Sequence, residues 1–106
     1  MHPIFIKSHA FNSSSLKILH FSTKKLQREI LNIFCSLSAI EEIDVAGTIF
    51  PNDWDMNEIF PNLTTLKVLN LNATNITGVP NALSQIMPRL EILKLQENRI
   101  SGLHLH

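Results

Sequence analysis

The amino-acid sequence predicts an α/β solenoid of about four repeats, a horseshoe segment with a short parallel β-sheet on its concave face and loops or short helices on its convex side. Three observations predict this fold. One apolar spacing opens four times along the 106-residue chain. Further apolar residues precede three of the four copies at matching distances, and polar residues separate the apolar ones within the copies.

The apolar spacing is clearest in two stretches, LKVLNLNATNI at residues 66–76 and LEILKLQENRI at residues 90–100. The first, fourth, sixth and eleventh places of all four copies hold large apolar residues. The copies are 24, 26 and 24 residues apart and begin at Leu16, Ile40, Leu66 and Leu90. A fixed period of this size with L-x-x-L-x-L spacing is the signature of a leucine-rich repeat.

Each copy predicts a short strand, because side chains alternate between the two faces of a strand and the L-x-L centre places its leucines on one of them. A single repeat cannot bury that apolar side alone, so neighbouring repeats must share one core. The return segments before the copies also carry inward-facing residues, namely Phe34, Leu37, Phe60, Leu63 and Met87. We expect residues 1–15 to form a partial repeat or irregular lead-in, and residues 16–106 to form four repeats, the last incomplete.

The ninth place of such repeats often holds an asparagine, whose amide can bond to the backbone of adjacent coils. Here this place holds Lys24, Thr48, Thr74 and Asn98. Asn98 suits the role, threonine offers one hydroxyl, and a lysine cannot be buried there. We therefore expect the first coil to be frayed or irregular.

Charge and hydropathy exclude some functions. The chain has 9 Lys and Arg residues in total and 9 Asp and Glu residues in total, so its net charge is zero. It therefore lacks the positive charge that would favour a nucleic-acid partner. No run of 18 apolar residues predicts a membrane span. The opening MHPIFIKSHAF lacks a basic lead and carries Lys7, so it resembles an earlier coil more than a signal peptide.

Solenoids need polar caps at their ends, and secreted leucine-rich repeats usually close theirs with paired cysteines. This chain has one cysteine, Cys35. We therefore expect a piece of a longer protein or a truncated product. We also expect the isolated chain to be marginally stable and prone to associate.

No catalytic, cofactor or complete metal-ligand motif stands out, so we expect no enzyme activity and no cofactor. His104 and His106 could share a face of an extended end, but two histidines do not make a metal site. We expect Asp53 and Asp55 to belong to a polar loop rather than to act as an acid–base pair. We expect Trp54 either to anchor an interface with a partner or to pack on the convex side. Cys35 predicts a buried or idle thiol, or one half of an intermolecular or cap disulfide.

The outward residues of the strands form the candidate binding face, since the concave surface is where curved repeat arrays usually bind partners. Ile18, Val68 and Ile92 share the third place and predict a broken apolar row. Acidic residues and scattered lysines lie beside this row, a mixture that favours a protein partner. The full set is Lys17, Ile18, His20, Glu41, Glu42, Asp44, Lys67, Val68, Asn70, Glu91, Ile92 and Lys94.

Four asparagines match the N-x-S/T glycosylation pattern: Asn12, Asn62, Asn72 and Asn75. Chance would produce roughly 1.4 such sites in this composition. Asn12 and Asn62 both lie four residues before a copy begins, where a loop would tolerate a glycan. Asn72 and Asn75 are too close together for routine modification of both. The alternative is that these asparagines serve turns while a threonine fills an inward place.

The repeats resemble the extracellular leucine-rich repeats of animal Toll-like receptors over roughly residues 11–105. The resemblance rests on the 24-residue period and on the stretches FCSLSAIEEIDV, FPNLTTLKVLNL and MPRLEILKLQENRISGL. It implies part of a cell-surface, innate-immune receptor ectodomain that recognises protein or microbial ligands and dimerises. The transmembrane helix and signalling domain of such receptors are not among these residues.

The stretch LKVLNLNATNITGVP is also similar to the repeats of plant immune proteins. This second resemblance implies a cytoplasmic, nucleotide-binding immune receptor whose repeats act as sensor or scaffold. The extracellular plant repeats use a longer motif, which residues 76–80 miss by one residue. A glycosylated native protein would favour the receptor ectodomain, and an unmodified protein with a free thiol would favour the intracellular sensor.

Overall fold

The computed structural model describes residues 13–24 and 26–100 of the chain. The predicted sites at Asn12, His104 and His106 lie outside these residues. Within them the chain alternates between three-residue strands and short helices. In chain order the elements are a 3-10 helix (Ser13–Ser15), β1 (Ile18–His20), α1 (Glu29–Phe34), β2 (Glu42–Asp44), α2 (Met56–Ile59), β3 (Val68–Asn70), α3 (Leu83–Ile86) and β4 (Ile92–Lys94).

The four strands form one parallel sheet in the order β1-β2-β3-β4. Ile18 pairs with Glu42, Glu42 with Val68, and Val68 with Ile92, so the register follows the spacing of the sequence copies. Each pair of neighbouring strands is joined by a crossover with one helix, because parallel strands cannot be joined by a tight hairpin. The predicted short parallel sheet, with one strand for each copy, is confirmed.

The core lies between the sheet and the helical return segments. All framework residues of the second and third copies are buried, and Phe34, Leu37, Phe60, Leu63 and Met87 are buried with them. The rings of Phe34 and Phe60 stack with their centroids 5.3 Å apart. The predicted inward places of the return segments are therefore confirmed.

The first and fourth copies contribute less completely to this core. Leu19 and Leu26 of the first copy are buried, but Leu16 and Phe21 are only partly buried. All four framework residues of the fourth copy are partly buried: Leu90, Leu93, Leu95 and Ile100.

The turn after β2, β3 and β4 uses the same backbone conformation at the eighth place of the repeat. Gly47, Ala73 and Glu97 have positive φ angles of 81°, 56° and 58°. A left-handed backbone suits glycine, whereas alanine and glutamate adopt it at a cost. The repeat therefore imposes this turn even where the local sequence opposes it.

The helices are too short to be stable alone and depend on packing. Ile30 and Phe34 anchor α1 in the core, and Ile59 anchors α2. Asp55 caps α2, since its Oδ1 accepts a hydrogen bond from the amide of Asn57 at 2.9 Å. No helix in the described part of the chain has the length and apolar character needed to cross a membrane.

Candidate protein-binding face

The open face of the sheet is formed by the third and fifth places of each repeat, which point away from the core. The middle residue of every strand points inward, and its two neighbours are more exposed in all four strands. The third places hold Ile18, Glu42, Val68 and Ile92, and the fifth places hold His20, Asp44, Asn70 and Lys94. The structure thus brings eight of the twelve predicted face residues onto one surface, here called the sheet face.

The third places form the predicted broken apolar row. Ile18 is 55% exposed and Ile92 is 47% exposed, while Val68 is half-buried. Glu42 interrupts the row, because it pairs with Ile18 on one side and with Val68 on the other. Burying exposed isoleucines against a partner is favourable, because it removes apolar surface from water.

The remaining four predicted residues lie just before the strands rather than within them. The amide of Glu41 donates to the carbonyl of Lys17, that of Lys67 to Glu41, and that of Glu91 to Lys67, each at 2.8 Å. This pairing aligns Lys17, Glu41, Lys67 and Glu91 in a row of alternating charge. Lys17 Nζ lies 3.8 Å from Glu41 Oε2, but both side chains are largely exposed, so this pair contributes little stability.

Two of the fifth-place side chains are already used by the fold. Asp44 Oδ1 accepts from the amide of Ala46, and Asn70 Oδ1 accepts from the amide of Asn72, both at 3.0 Å. Asn70 Nδ2 also donates to Asp44 Oδ2 at 3.2 Å. These Asx turns end the strands, so Asp44 and Asn70 position the backbone beside the sheet face.

In the fourth repeat, the hydrogen bond to the equivalent turn comes from a different residue. Lys94 occupies the fifth place there and has no acceptor. The amide of Gln96 instead donates to Asn72 Oδ1 of the preceding repeat at 2.7 Å. Asn72 therefore links two repeats.

The acidic second repeat lies next to the histidine of the first. His20 Nε2 contacts the Glu42 carboxylate, and both residues belong to the sheet face. The sequence placed both outward, but their contact depends on a diagonal between neighbouring strands. The register follows from the repeat spacing, but the side-chain directions that bring His20 and Glu42 together were known only from the structure.

The ninth places behave as the sequence predicted. Asn98 Oδ1 accepts from the amides of Thr74 at 2.9 Å and Ile76 at 3.2 Å, and its Nδ2 donates to the carbonyl of Leu71 at 2.7 Å. Thr48 makes one bond between repeats, accepting from the amide of Thr23 at 3.1 Å. Lys24 is exposed. Asn98 thus ties the fourth repeat to the third beside the sheet face.

Trp54 packs against the edge of the core and is half-buried. Its ring meets Phe50 edge to face with centroids 6.5 Å apart, and the Arg28 guanidinium lies 5.5 Å from its centroid. The adjacent groove, lined also by Met56 and Arg99, has a volume of about 350 Å³. Packing thus accounts for much of the Trp54 surface, and no pattern in the sequence pointed to the contact with Arg28.

The other reactive side chains do not assemble into a site. Cys35 follows α1 directly and is exposed, so the expectation of a buried thiol was wrong. The idle thiol and the intermolecular or cap disulfide both remain predictions. A side chain next to an inward phenylalanine on a helix need not point inward itself. Among residues 13–24 and 26–100, no group of three or more His, Cys, Asp or Glu is placed to hold a metal ion.

The described glycosylation candidates differ in exposure. Asn62 and Thr64 of the first N-x-T site are both exposed. Asn72 is half-buried and its Thr74 is fully buried. Asn75 is half-buried, has a positive φ of 61°, and donates from Nδ2 to Asn52 Oδ1 at 3.1 Å.

Comparison with known proteins finds a relative for most of this chain. The chain is 33% identical over 90 residues to Nephrocan from Mus musculus. This finding relates the chain to leucine-rich repeat proteins. The matched region covers 85% of this chain and 17% of Nephrocan, so the chain spans about one sixth of that protein's length.

The same comparison offers nothing specific to Toll-like receptors. No family model matches the chain. No solved structure matches it significantly.

Proposed function

We propose that this chain is a protein-binding segment of a larger, extracellular leucine-rich repeat protein and that its sheet face contacts the partner. One observation carries the proposal: Ile18 and Ile92 stand 55% and 47% exposed on the same face of one parallel sheet. Large apolar side chains in such an aligned position favour a macromolecular partner over bare solvent. Val68 adds half-buried apolar area between them.

The charges around this apolar row support a protein partner. Glu41, Glu42 and Asp44 make the second repeat acidic, while Lys17 and Lys67 flank it. Mixed charges at the rim of an apolar centre are typical of protein interfaces, where they give specificity more than affinity. A uniformly basic surface, as nucleic acid would require, is not formed by these residues.

The finer proposal is a receptor ectodomain of the Toll-like kind, in which stacked repeats form a curved solenoid that binds a protein or microbial ligand. Its support is the resemblance in sequence, together with the stacked phenylalanines Phe34 and Phe60 on the return side. Receptor dimerisation belongs to the same proposal. The similarity to Nephrocan supports the extracellular setting, which is compatible with the glycosylation candidates.

A photo-cross-linking comparison tests the sheet face. Benzoylphenylalanine replaces Ile18 or Ile92 on the face, and Ile49, which is 40% exposed outside the strands, serves as the matched control. We expect irradiation of the secreted protein on its source cells to yield one defined adduct from positions 18 and 92 and none from position 49. Equal adducts from position 49, or adducts only there, would remove the sheet face from the proposal.

A second candidate is an intracellular sensor or scaffold segment, in which the repeats hold a neighbouring domain inactive. The exposed thiol of Cys35, with no second cysteine in the chain to pair with, favours this candidate. Treating native protein from its source tissue with a glycosidase separates the two settings. A mass decrease supports the extracellular protein, and an unmodified chain with a free thiol supports the intracellular one.

We also propose that the chain is not an enzyme. Its polar side chains near the sheet face are engaged in turns and in links between repeats, as Asp44, Asn70 and Asn72 are. Nucleophile, base and oxyanion donors would have to converge on one point for catalysis. The arrangement of the face suits recognition instead.

A further inference from the structure

We propose that Asn62 is the N-glycosylation site in the described part of this chain, and that Asn72 and Asn75 remain unmodified in the folded protein. The inference rests on the proposed extracellular function, since the modification requires the secretory route. It separates three sites that the N-x-S/T pattern treats as equal. The separation comes from exposure, hydrogen bonding and backbone conformation at each site.

Asn62 stands on the return segment between α2 and β3, held from both sides by the core. Phe60 and Leu63 are buried at 4% and 2% exposure, and the intervening Asn62 is exposed. Thr64, which completes the pattern, is also exposed. No hydrogen bond joins the Asn62 side chain to another residue among positions 13–24 and 26–100. Its amide is therefore available, while the backbone that carries it is fixed.

Asn72 is committed to the junction between repeats. Its Oδ1 accepts from the amide of Gln96 at 2.7 Å, an amide that Lys94 cannot serve from its own repeat. The threonine of its pattern, Thr74, is fully buried and donates from Oγ1 to the carbonyl of Leu71 at 2.8 Å. A bulky glycan on this half-buried amide would crowd the contact that links the third and fourth repeats.

Asn75 is constrained in another way. Its Nδ2, the atom that would carry the sugar, donates to Asn52 Oδ1 at 3.1 Å. Its φ of 61° lies in the left-handed region, which asparagine adopts more readily than most residues. The position thus explains the asparagine as a turn residue, without a glycan.

The chemistry at Asn62 requires a lipid-linked oligosaccharyl diphosphate as co-reactant. A bond forms between Asn62 Nδ2 and the anomeric carbon of the sugar. The bond from that carbon to the phosphate oxygen breaks, the lipid diphosphate leaves with the electron pair, and one amide proton is released. The glycan would then project from the return segment and leave the sheet face open.

Site occupancy in a forced-secretion experiment tests the inference. The full 106-residue chain is expressed in animal cells behind an added secretion leader, so the outcome does not depend on where the native protein resides. Enzymatic deglycosylation in ¹⁸O-water converts each occupied asparagine to labelled aspartate, which peptide mass spectrometry locates. We expect the label at Asn62 and none at Asn72 or Asn75.

Matched variants make the result independent of peptide detection. Asn62→Gln and Thr64→Ala should each remove one glycan from the intact mass, whereas Thr64→Ser should retain it. Asn72→Gln and Asn75→Gln should leave the mass of the glycans unchanged. An unlabelled Asn62 in the secreted chain, or a label at Asn72 or Asn75, would overturn the inference. If Asn62 is labelled here but the native protein carries no glycan, the extracellular proposal fails and the assignment of Asn62 as the modifiable site stands.

Discussion

In the third repeat, the framework residue Leu69 is completely buried, whereas Leu93, at the same place of the fourth repeat, is only partly buried. The polar contacts show the opposite order. Asn98 of the fourth repeat bonds to three backbone groups of the third, while Thr74 of the third repeat donates its hydroxyl to its own Leu71 carbonyl and to Asn98.

The difference follows from the neighbours of each repeat. Strand β3 lies between β2 and β4, so both sides of the third repeat are covered, while β4 pairs only with β3 among the described strands. Apolar burial needs a repeat on each side, because stacked repeats stabilise one another through their interfaces. A hydrogen-bonding residue such as Asn98 needs only one. Four copies of one sequence pattern can therefore be held by different balances of apolar and polar contacts.

Truncating the two equivalent leucines gives the largest expected effect. Leu69→Ala should lower the free energy of unfolding by about 2–5 kcal/mol, because it removes buried methyl groups and leaves a cavity. Leu93→Ala should cost less, about 1–2 kcal/mol, because part of that side chain already contacts water. Urea denaturation of both variants measures the difference. Equal losses would break the comparison between the repeats.

Removing the polar tie tests the other half of the comparison. Asn98→Ala should cost about 2 kcal/mol, since it strips hydrogen bonds from the Thr74 and Ile76 amides and from the Leu71 carbonyl. Thr48→Ala is the matched control and should cost about 1 kcal/mol, because Thr48 makes a single bond between repeats. A larger loss from Thr48 than from Asn98 would show that the ninth place is not what joins the fourth repeat.

Two substitutions in the turn after the strand should change the free energy of unfolding by smaller amounts and in opposite directions. Ala73→Gly should raise the free energy of unfolding by up to about 1 kcal/mol, because glycine adopts a φ of 56° without the cost that alanine bears. Gly47→Ala should lower it by about 1 kcal/mol at a φ of 81°, where the new Cβ would lie 3.1 Å from Ser22 Oγ. Thermal unfolding of both variants checks the signs. A stabilising Gly47→Ala would contradict the shared turn geometry.

The smallest expected effect is at the sheet face. Ile92→Ser, alone or with Ile18→Ser, should change stability by no more than about 0.5 kcal/mol, because both side chains are already exposed. Such a result would mean that the inward residues, and not the exposed ones, account for the difference in stability between the third and fourth repeats. A loss above about 2 kcal/mol would mean that the face belongs to the core, and would remove it as a binding surface.

The fold was predictable to the level of strands, register and core. Each framework place needed only an apolar residue, and the period alone determined which residues pair, as for Ile18 with Glu42. Asn98 was also predictable, because asparagine alone among the ninth-place residues offers two N–H donors together with a separate acceptor oxygen. The Asx turns at Asp44 and Asn70 carried a signal too, since aspartate and asparagine favour turns at strand ends.

Other features required the structure. The contact of His20 with Glu42 and the stacking of Arg28 on Trp54 join residues in different repeats through side-chain directions that no spacing specifies. The exposure of Cys35 depends on how α1 is rotated against the core. The sequence contains four glycosylation patterns, but the exposure, hydrogen bonds and backbone conformation that distinguish Asn72 and Asn75 from Asn62 come from the structure.

Amide hydrogen exchange measures most directly whether all four repeats form one parallel sheet that presents the sheet face. The informative amides are those that bond between repeats, at Glu42, Val68, Leu71 and Ile92. The account predicts that all four are protected from exchange, with Glu42 and Val68 slowest because each lies in a strand with a partner on both sides. Exchange of Ile92 and Leu71 at the rate of an unfolded peptide, beside a protected Val68, would contradict it, because the fourth repeat would then not belong to the sheet.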